Sequence, residues 1–274
     1  MRVSAGIAVL LTACCLSPAQ STSKRAVAVD KTNTAPDVKT PADPKSGNDK
    51  SLRLSAPATE KLTFDVEWRL IHAGTVVVQT QKSHGDLRLD SAGMVSTLFK
   101  IHDVYTSDYE EGFCGTASLM DSMEGKRHHE ARVTFDRARN HATYLERDVL
   151  KDAVIHSNEV DVPNCVHEIA GALLKLRSMT IDPGQSAQIP MSDGRRSSPV
   201  KIEAQEREDV KTAAGAFKTI RYEAFLMNGV IYTRKGKTEI WLTDDARHLP
   251  VQIRLRMNFP VGSVTLQLQK EEHL

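Results

Sequence analysis

The hydrophobic and polar positions of this chain fall mostly into a period of two. Leu62, Phe64, Val66, Trp68 and Leu70 alternate without a break against Thr63, Asp65, Glu67 and Arg69. That spacing gives a strand one buried and one solvated face. The stretch 238–257 reads as a hairpin built the same way. Ile240 and Leu242 point to one side and Glu239, Trp241 and Thr243 to the other. Asp244-Asp245-Ala246-Arg247 supplies the turn, and Val251, Ile253, Leu255 and Met257 alternate with Gln252, Arg254 and Arg256. Pro250 lacks an N–H, which places it at the start of its strand or on an unpaired edge. Further strands are expected near 75–81, 94–105, 116–124, 130–135, 141–147, 154–162, 187–190, 200–207, 217–227 and 264–269. Asn228-Gly229 reads as a two-residue hairpin turn leading into 230–234.

One segment leaves this rhythm. Val166, Ile169, Ala170, Leu173, Leu174 and Leu176 recur at the 3,4 spacing of an amphipathic helix. The pattern predicts a helix over 165–179 with Asn164 as its N-cap and Lys175 and Arg177 near its C-terminus, where the macrodipole favours cations. Its Ile169/Leu173/Leu176 stripe is expected to pack on the sheet. Short turns join antiparallel strands only. The expected fold is therefore mainly β: a strongly curved antiparallel sheet of about eleven strands, a β roll or partly closed barrel, with one substantial mid-chain helix near 164–179.

The front of the chain is of another kind. Arg2 followed by the short apolar run Val3–Leu11 reads as an export signal, too short to span a bilayer. Two processing readings stand. Leu11-Thr12-Ala13-Cys14 resembles a bacterial lipobox, which would lipidate Cys14 after removal of residues 1–13; Ser17-Pro18-Ala19 suits ordinary cleavage after residue 19. Residues 20–60 hold no aromatic side chain and are broken by Pro36, Pro41, Pro44 and Pro57. They are expected to be a disordered linker ahead of a single β-rich domain at 61–274.

Composition excludes more than it assigns. The chain carries 36 Lys and Arg against 35 Asp and Glu, so no basic excess points to nucleic acid. In an exported chain Cys114 and Cys165 read most simply as a disulfide, against two buried thiols or a metal site with His128 or His129. Neighbouring strand residues face opposite sides, so His128 and His129 are poorly placed to share one ion.

The succession Gly215-x-Phe217-Lys218-Thr219, Ile240-Trp241-Leu242-Thr243-Asp244-Asp245 and Leu249-Pro250-Val251 resembles a bacterial envelope family known as domain of unknown function 3108. So do the strand with Trp68 and Gly74, the Phe135-Asp136 strand end, and the helical segment followed by Pro183-Gly184-Gln185. The resemblance covers roughly residues 61–270 and implies an exported or lipid-anchored β domain. Its motifs are made of strands and turns and bring no catalytic residues.

No H-E-x-x-H, paired C-x-x-C or G-x-S-x-G occurs. Asp244-Asp245 reads as turn chemistry. No cofactor and no metal are expected. The expected role is a non-catalytic envelope binding or scaffold domain for a hydrophobic ligand or lipid, a glycan or a partner protein, meeting the membrane only through a lipid anchor. The alternative is an envelope hydrolase whose site assembles from dispersed His and carboxylate residues such as His128, His167 and Asp245.

Overall fold

A computed structural model describes residues 59–258 and 260–274. The export signal, Cys14 and the linker up to residue 58 lie outside the described residues. Fourteen strands form one antiparallel sheet. The first eight run as a meander: β1 (Thr59–Trp68), β2 (Ile71–Gln81), β3 (His84–Ser91), β4 (Ile101–Tyr109), β5 (Gly115–Glu124), β6 (Arg127–Asp136), β7 (His141–Asp148) and β8 (Ala153–Asp161). The last six form a second: β9 (Ser186–Ser192), β10 (Ser197–Thr212), β11 (Gly215–Ala224), β12 (Gly236–Thr243), β13 (Pro250–Met257) and β14 (Ser263–His273). Pairing of β1 with β14 fuses the two into one curved sheet whose edges are β8 and β9. Among the described residues two α-helices interrupt it, the short α1 (Gly93–Leu98) between β3 and β4 and α2 (Ile169–Arg177) between β8 and β9.

The sheet curls without closing by a strand ladder. Its open side is crossed by the chain that leads into α2. His167 forms a parallel bridge to Met191, donating N–H to the Pro190 carbonyl at 2.9 Å and accepting from Ser192 N at 3.0 Å. The Asn158 amide of β8 reaches the Gly194 and Arg195 carbonyls beyond β9 at 3.4 and 3.3 Å. Part of the β9 edge that a closed barrel would pair is thus met by loop and side chain.

The period of two places the core. Leu62, Phe64 and Val66 of β1 are at most 2 % exposed, each contributing about 1.5–3 kcal/mol of burial. A large apolar core joins β1–β3, α2 and β9–β14. A smaller one around Tyr105, Val133, Phe135 and Tyr144 fills the curve of β4–β7. Leu87 and Ile169 pack against both.

Several expectations change. Leu70 does not extend the first strand; it sits in the β1–β2 turn at positive φ and is 91 % exposed. Glu60, counted with the linker, lies inside β1 and is buried. Residues 93–98 form α1 rather than the start of a strand. Residues 230–234 form no strand; Asn228 and Gly229 turn at φ 61° and 92° within a longer connection whose Leu226, Met227 and Ile231 fold inward. The mid-chain helix starts at Ile169, capped by Glu168 instead of Asn164, and Cys165 precedes it in non-helical chain. The outward face of β12 is covered: Glu239 and Trp241 are 2 % and 3 % exposed beneath Arg221, Arg254 and Arg256. Among the described residues no helix is long and apolar enough to cross a membrane.

Candidate functional site

Helix α2 lies against the inner face of the curl and is fastened at both ends. At its start Glu168 accepts hydrogen bonds from Ala170 N (2.6 Å) and Gly171 N (2.5 Å), satisfying amides that the helix leaves unpaired. Tyr105 of β4 donates its hydroxyl to the same carboxylate at 2.7 Å. Just upstream, Cys165 is bonded to Cys114, with Cα atoms 4.9 Å apart. Gly171 is required here, because a Cβ would stand 2.6 Å from the Phe113 carbonyl oxygen. At the far end Arg177 donates to both carboxylate oxygens of Glu60, at 2.6 and 2.9 Å, and to the His248 carbonyl at 3.1 Å. The His248 ring nitrogen Nδ1 returns a bond to the Arg177 carbonyl at 2.7 Å.

Between these fixed ends the middle of the helix stands off the sheet. A cavity of about 170 Å³ separates Ile169, Ala170 and Leu173 from the inner faces of β1–β3, β12 and β13. Its walls are almost wholly apolar, with Leu62, Phe64 and Leu89 on one side and Ile240, Ile253 and Leu255 on the other. Glu60 and Arg177 meet at its margin and satisfy each other. Thr238 of β12 also lines it. That side chain is 4 % exposed, and its hydroxyl has no hydrogen-bond partner among the described residues. A second cavity of about 60 Å³ shares Tyr105, Ile169 and Tyr232 with the first.

The remaining candidate residues are held apart from this cavity. His128 and His129 face opposite sides of β6, His128 pairing with Asp121 at 2.7 Å and His129 with Glu146 at 3.3 Å. His167 is buried, which lowers its pKa, and its Nδ1 lies 2.7 Å from the Phe113 carbonyl oxygen. Asp245 accepts from the Thr243 hydroxyl at 2.7 Å and from Arg247 N at 3.0 Å, shaping the β12–β13 turn. Asp244 pairs with Arg207 at 2.7 Å. The structure therefore does not bring His128, His167 and Asp245 together. Among the described residues no group of three or more His, Cys, Asp or Glu is placed to hold a metal ion.

Sequence reading found the helix stripe and the cysteine pair but not Glu60–Arg177, Tyr105–Glu168 or Thr238. Only Arg177, a cation ending an apolar helix, carried any local signal, and its partner lies 117 residues away.

One similar solved structure shares this architecture. A Brucella abortus protein of the DUF1849 family, described as β-barrel-like, superposes with a TM-score of 0.53 at 7 % identity, over 80 % of this chain and 98 % of that one. A Pseudomonas aeruginosa protein of the DUF1089 family gives 0.38 at 11 % identity, over 65 % and 88 %. The first likeness is one of fold. No match was found among curated proteins. The family model described as "Protein of unknown function (DUF3108)" matches residues 63–269. The chain belongs to the DUF3108 family.

Proposed function

We propose that this chain is an exported envelope domain that binds a slim apolar ligand, such as a lipid acyl chain, in the cavity beneath α2. The observation that carries the reading is the cavity itself, held open by a helix tied down at both ends. Interiors pack to near-crystalline density, and a void of this size in an apolar core is costly. Pinning α2 at Glu168 and Arg177 prevents the collapse that would otherwise remove it. The volume of about 170 Å³ is below the roughly 300–1,000 Å³ of drug-sized pockets and close to an engineered apolar cavity that accepts benzene. It suits part of a chain rather than a bulky headgroup. The orphaned Thr238 hydroxyl offers the ligand one hydrogen bond, from a group whose burial without one costs about 1–3 kcal/mol. The Cys114–Cys165 bond fits an oxidising compartment, and export rests on the N-terminal signal, read either as residues 1–19 or, with Cys14 as the lipidated anchor, as residues 1–13.

Native mass spectrometry of the protein purified from its own envelope fraction tests this. A non-covalent adduct of lipid mass, lost on denaturation and so distinct from an acyl group on Cys14, is expected. A bare polypeptide mass in every preparation would contradict it.

A further inference from the structure

The two ends of the curled sheet differ in character. Antiparallel order puts the β1–β2, β3–β4, β5–β6 and β7–β8 connections at one end, with those of β9–β10, β11–β12 and β13–β14. Helix α2, the disulfide and the start of β1 occupy the opposite end. Among the described residues, every exposed large apolar side chain except the C-terminal Leu274 lies at or next to the first end. Leu70 is 91 % exposed in the β1–β2 turn, Leu98 76 % in α1 and Leu150 68 % in the β7–β8 turn. Met94 and Leu98, four residues apart on α1, share a face turned to solvent while Val95 is buried beneath. The connections bond to one another and to neighbouring strand ends. Ala92 N bonds the Ala73 carbonyl at 2.8 Å, Gly125 N bonds the Lys100 carbonyl at 2.8 Å, and Val149 N bonds the His128 carbonyl at 2.9 Å.

Charge follows the same division. The seven connections at the apolar end contain Arg69, Lys100, Lys126 and Lys151, with the pairs Arg195-Arg196 and Arg234-Lys235. Within these connections only Asp152 and Asp193 are acidic, leaving six positive charges in excess, although Asp148 at the end of β7 also pairs with Lys151. The connections at the α2 end hold six basic and six acidic residues, a balance of zero. A chain that is nearly neutral overall thus concentrates cations where it also exposes Leu, Met and Val. Apolar side chains ringed by Lys and Arg fit an interface that is hydrocarbon inside and anionic at its surface.

We propose that this rim docks onto an anionic phospholipid bilayer, inserting Leu70, Leu98 and Leu150 among the headgroups while Lys100 and Lys126 meet lipid phosphates. The inference rests on the surface alone and stands whether or not the cavity takes a ligand. It adds a non-covalent membrane contact to any anchor at Cys14.

Vesicle flotation tests it, using the full chain with Cys14→Ala so that no acyl group tethers it. The vesicles are pure phosphatidylcholine or the same lipid with about a quarter phosphatidylglycerol. Stronger binding to the anionic vesicles is expected, by roughly tenfold or more and weakened by salt. Leu98→Ser with Leu150→Ser, and separately Lys100→Glu with Lys126→Glu, are each expected to weaken it at least about tenfold without lowering the melting temperature. Lys82→Glu with Arg139→Glu at the opposite end should leave binding unchanged. Equal binding to both vesicles, or no loss in either rim variant, overturns the proposal. So does a vesicle-free shift from dimer to monomer in the Leu variants, which would assign the rim to a second copy of the chain.

Discussion

Arg177 at the end of α2 and Glu60 near the start of β1 form a buried two-pronged ion pair, with side chains 8 % and 4 % exposed. The contact joins residues 117 positions apart and fixes where the helix ends relative to the first strand. Such a pair adds little net stability over well-packed apolar residues, since both charges lose their hydration. Its value lies in geometry. With Tyr105–Glu168 at the other end, it holds α2 as a beam across the cavity.

Removing one partner leaves the other charge buried and alone. Glu60→Ala is expected to cost about 3–5 kcal/mol in denaturant unfolding. The double substitution Glu60→Leu with Arg177→Met is expected to recover most of that loss. A cost below about 1 kcal/mol for the single change would show that the pair is not buried as described.

The disulfide ties the β4–β5 connection to the chain entering α2 across a separation of 51 residues. Chain entropy for a loop of that length gives about 4 kcal/mol. For a domain of this size that corresponds to a fall in melting temperature of roughly 8–16 °C on reduction. Scanning calorimetry with and without reductant measures it, and an unchanged melting temperature would refute the assignment.

Asp103 lies fully buried on the inner face of β4, with Ser122 donating to its Oδ1 at 2.8 Å and its Oδ2 unpaired. Burial first, and nearby Glu124 as well, raise its pKa to about 7, opposed by Ser122, the Met123 backbone and His102. An unfolded Asp titrates near 3.9. Between about pH 4 and pH 7 the folded state therefore keeps a proton that the unfolded state releases, so this contribution to stability is full at lower pH and is lost as pH rises through that window. Asp103→Asn is expected to stabilise the protein at pH 8, by an amount on the order of a few kcal/mol, and to change it little at pH 4. Denaturant curves at both values decide, and an identical pH slope in the variant would contradict the account.

Strands with strict alternation could be read from the chain because each inward position is apolar, as in Leu62-Phe64-Val66 and Ile253-Leu255-Met257. Strand β3 could not: HGDLRLDS has only Leu87 and Leu89 as large apolar residues, and Gly85 takes the next inward place. Strand β12 misled in another way, because Trp241 and Glu239 are buried under arginines of neighbouring strands rather than under a second layer. The helix stripe of Ile169 and Leu173 was visible in its spacing, and both residues do face the sheet across the cavity. The empty space between them was not visible, because it depends on Glu60 and Tyr105 holding the helix ends from distant strands.

The most direct test of the cavity is a titration with a fluorescent polyene fatty acid, comparing the wild-type chain with Ala170→Phe. Ala170 lines the cavity from α2, so a phenyl ring there fills the space while leaving the Glu60–Arg177 pair in place. Saturable binding near one probe per chain, weakened at least about tenfold by the substitution, is the predicted result. Absence of saturable binding, or equal affinity in both proteins, would contradict a ligand beneath α2.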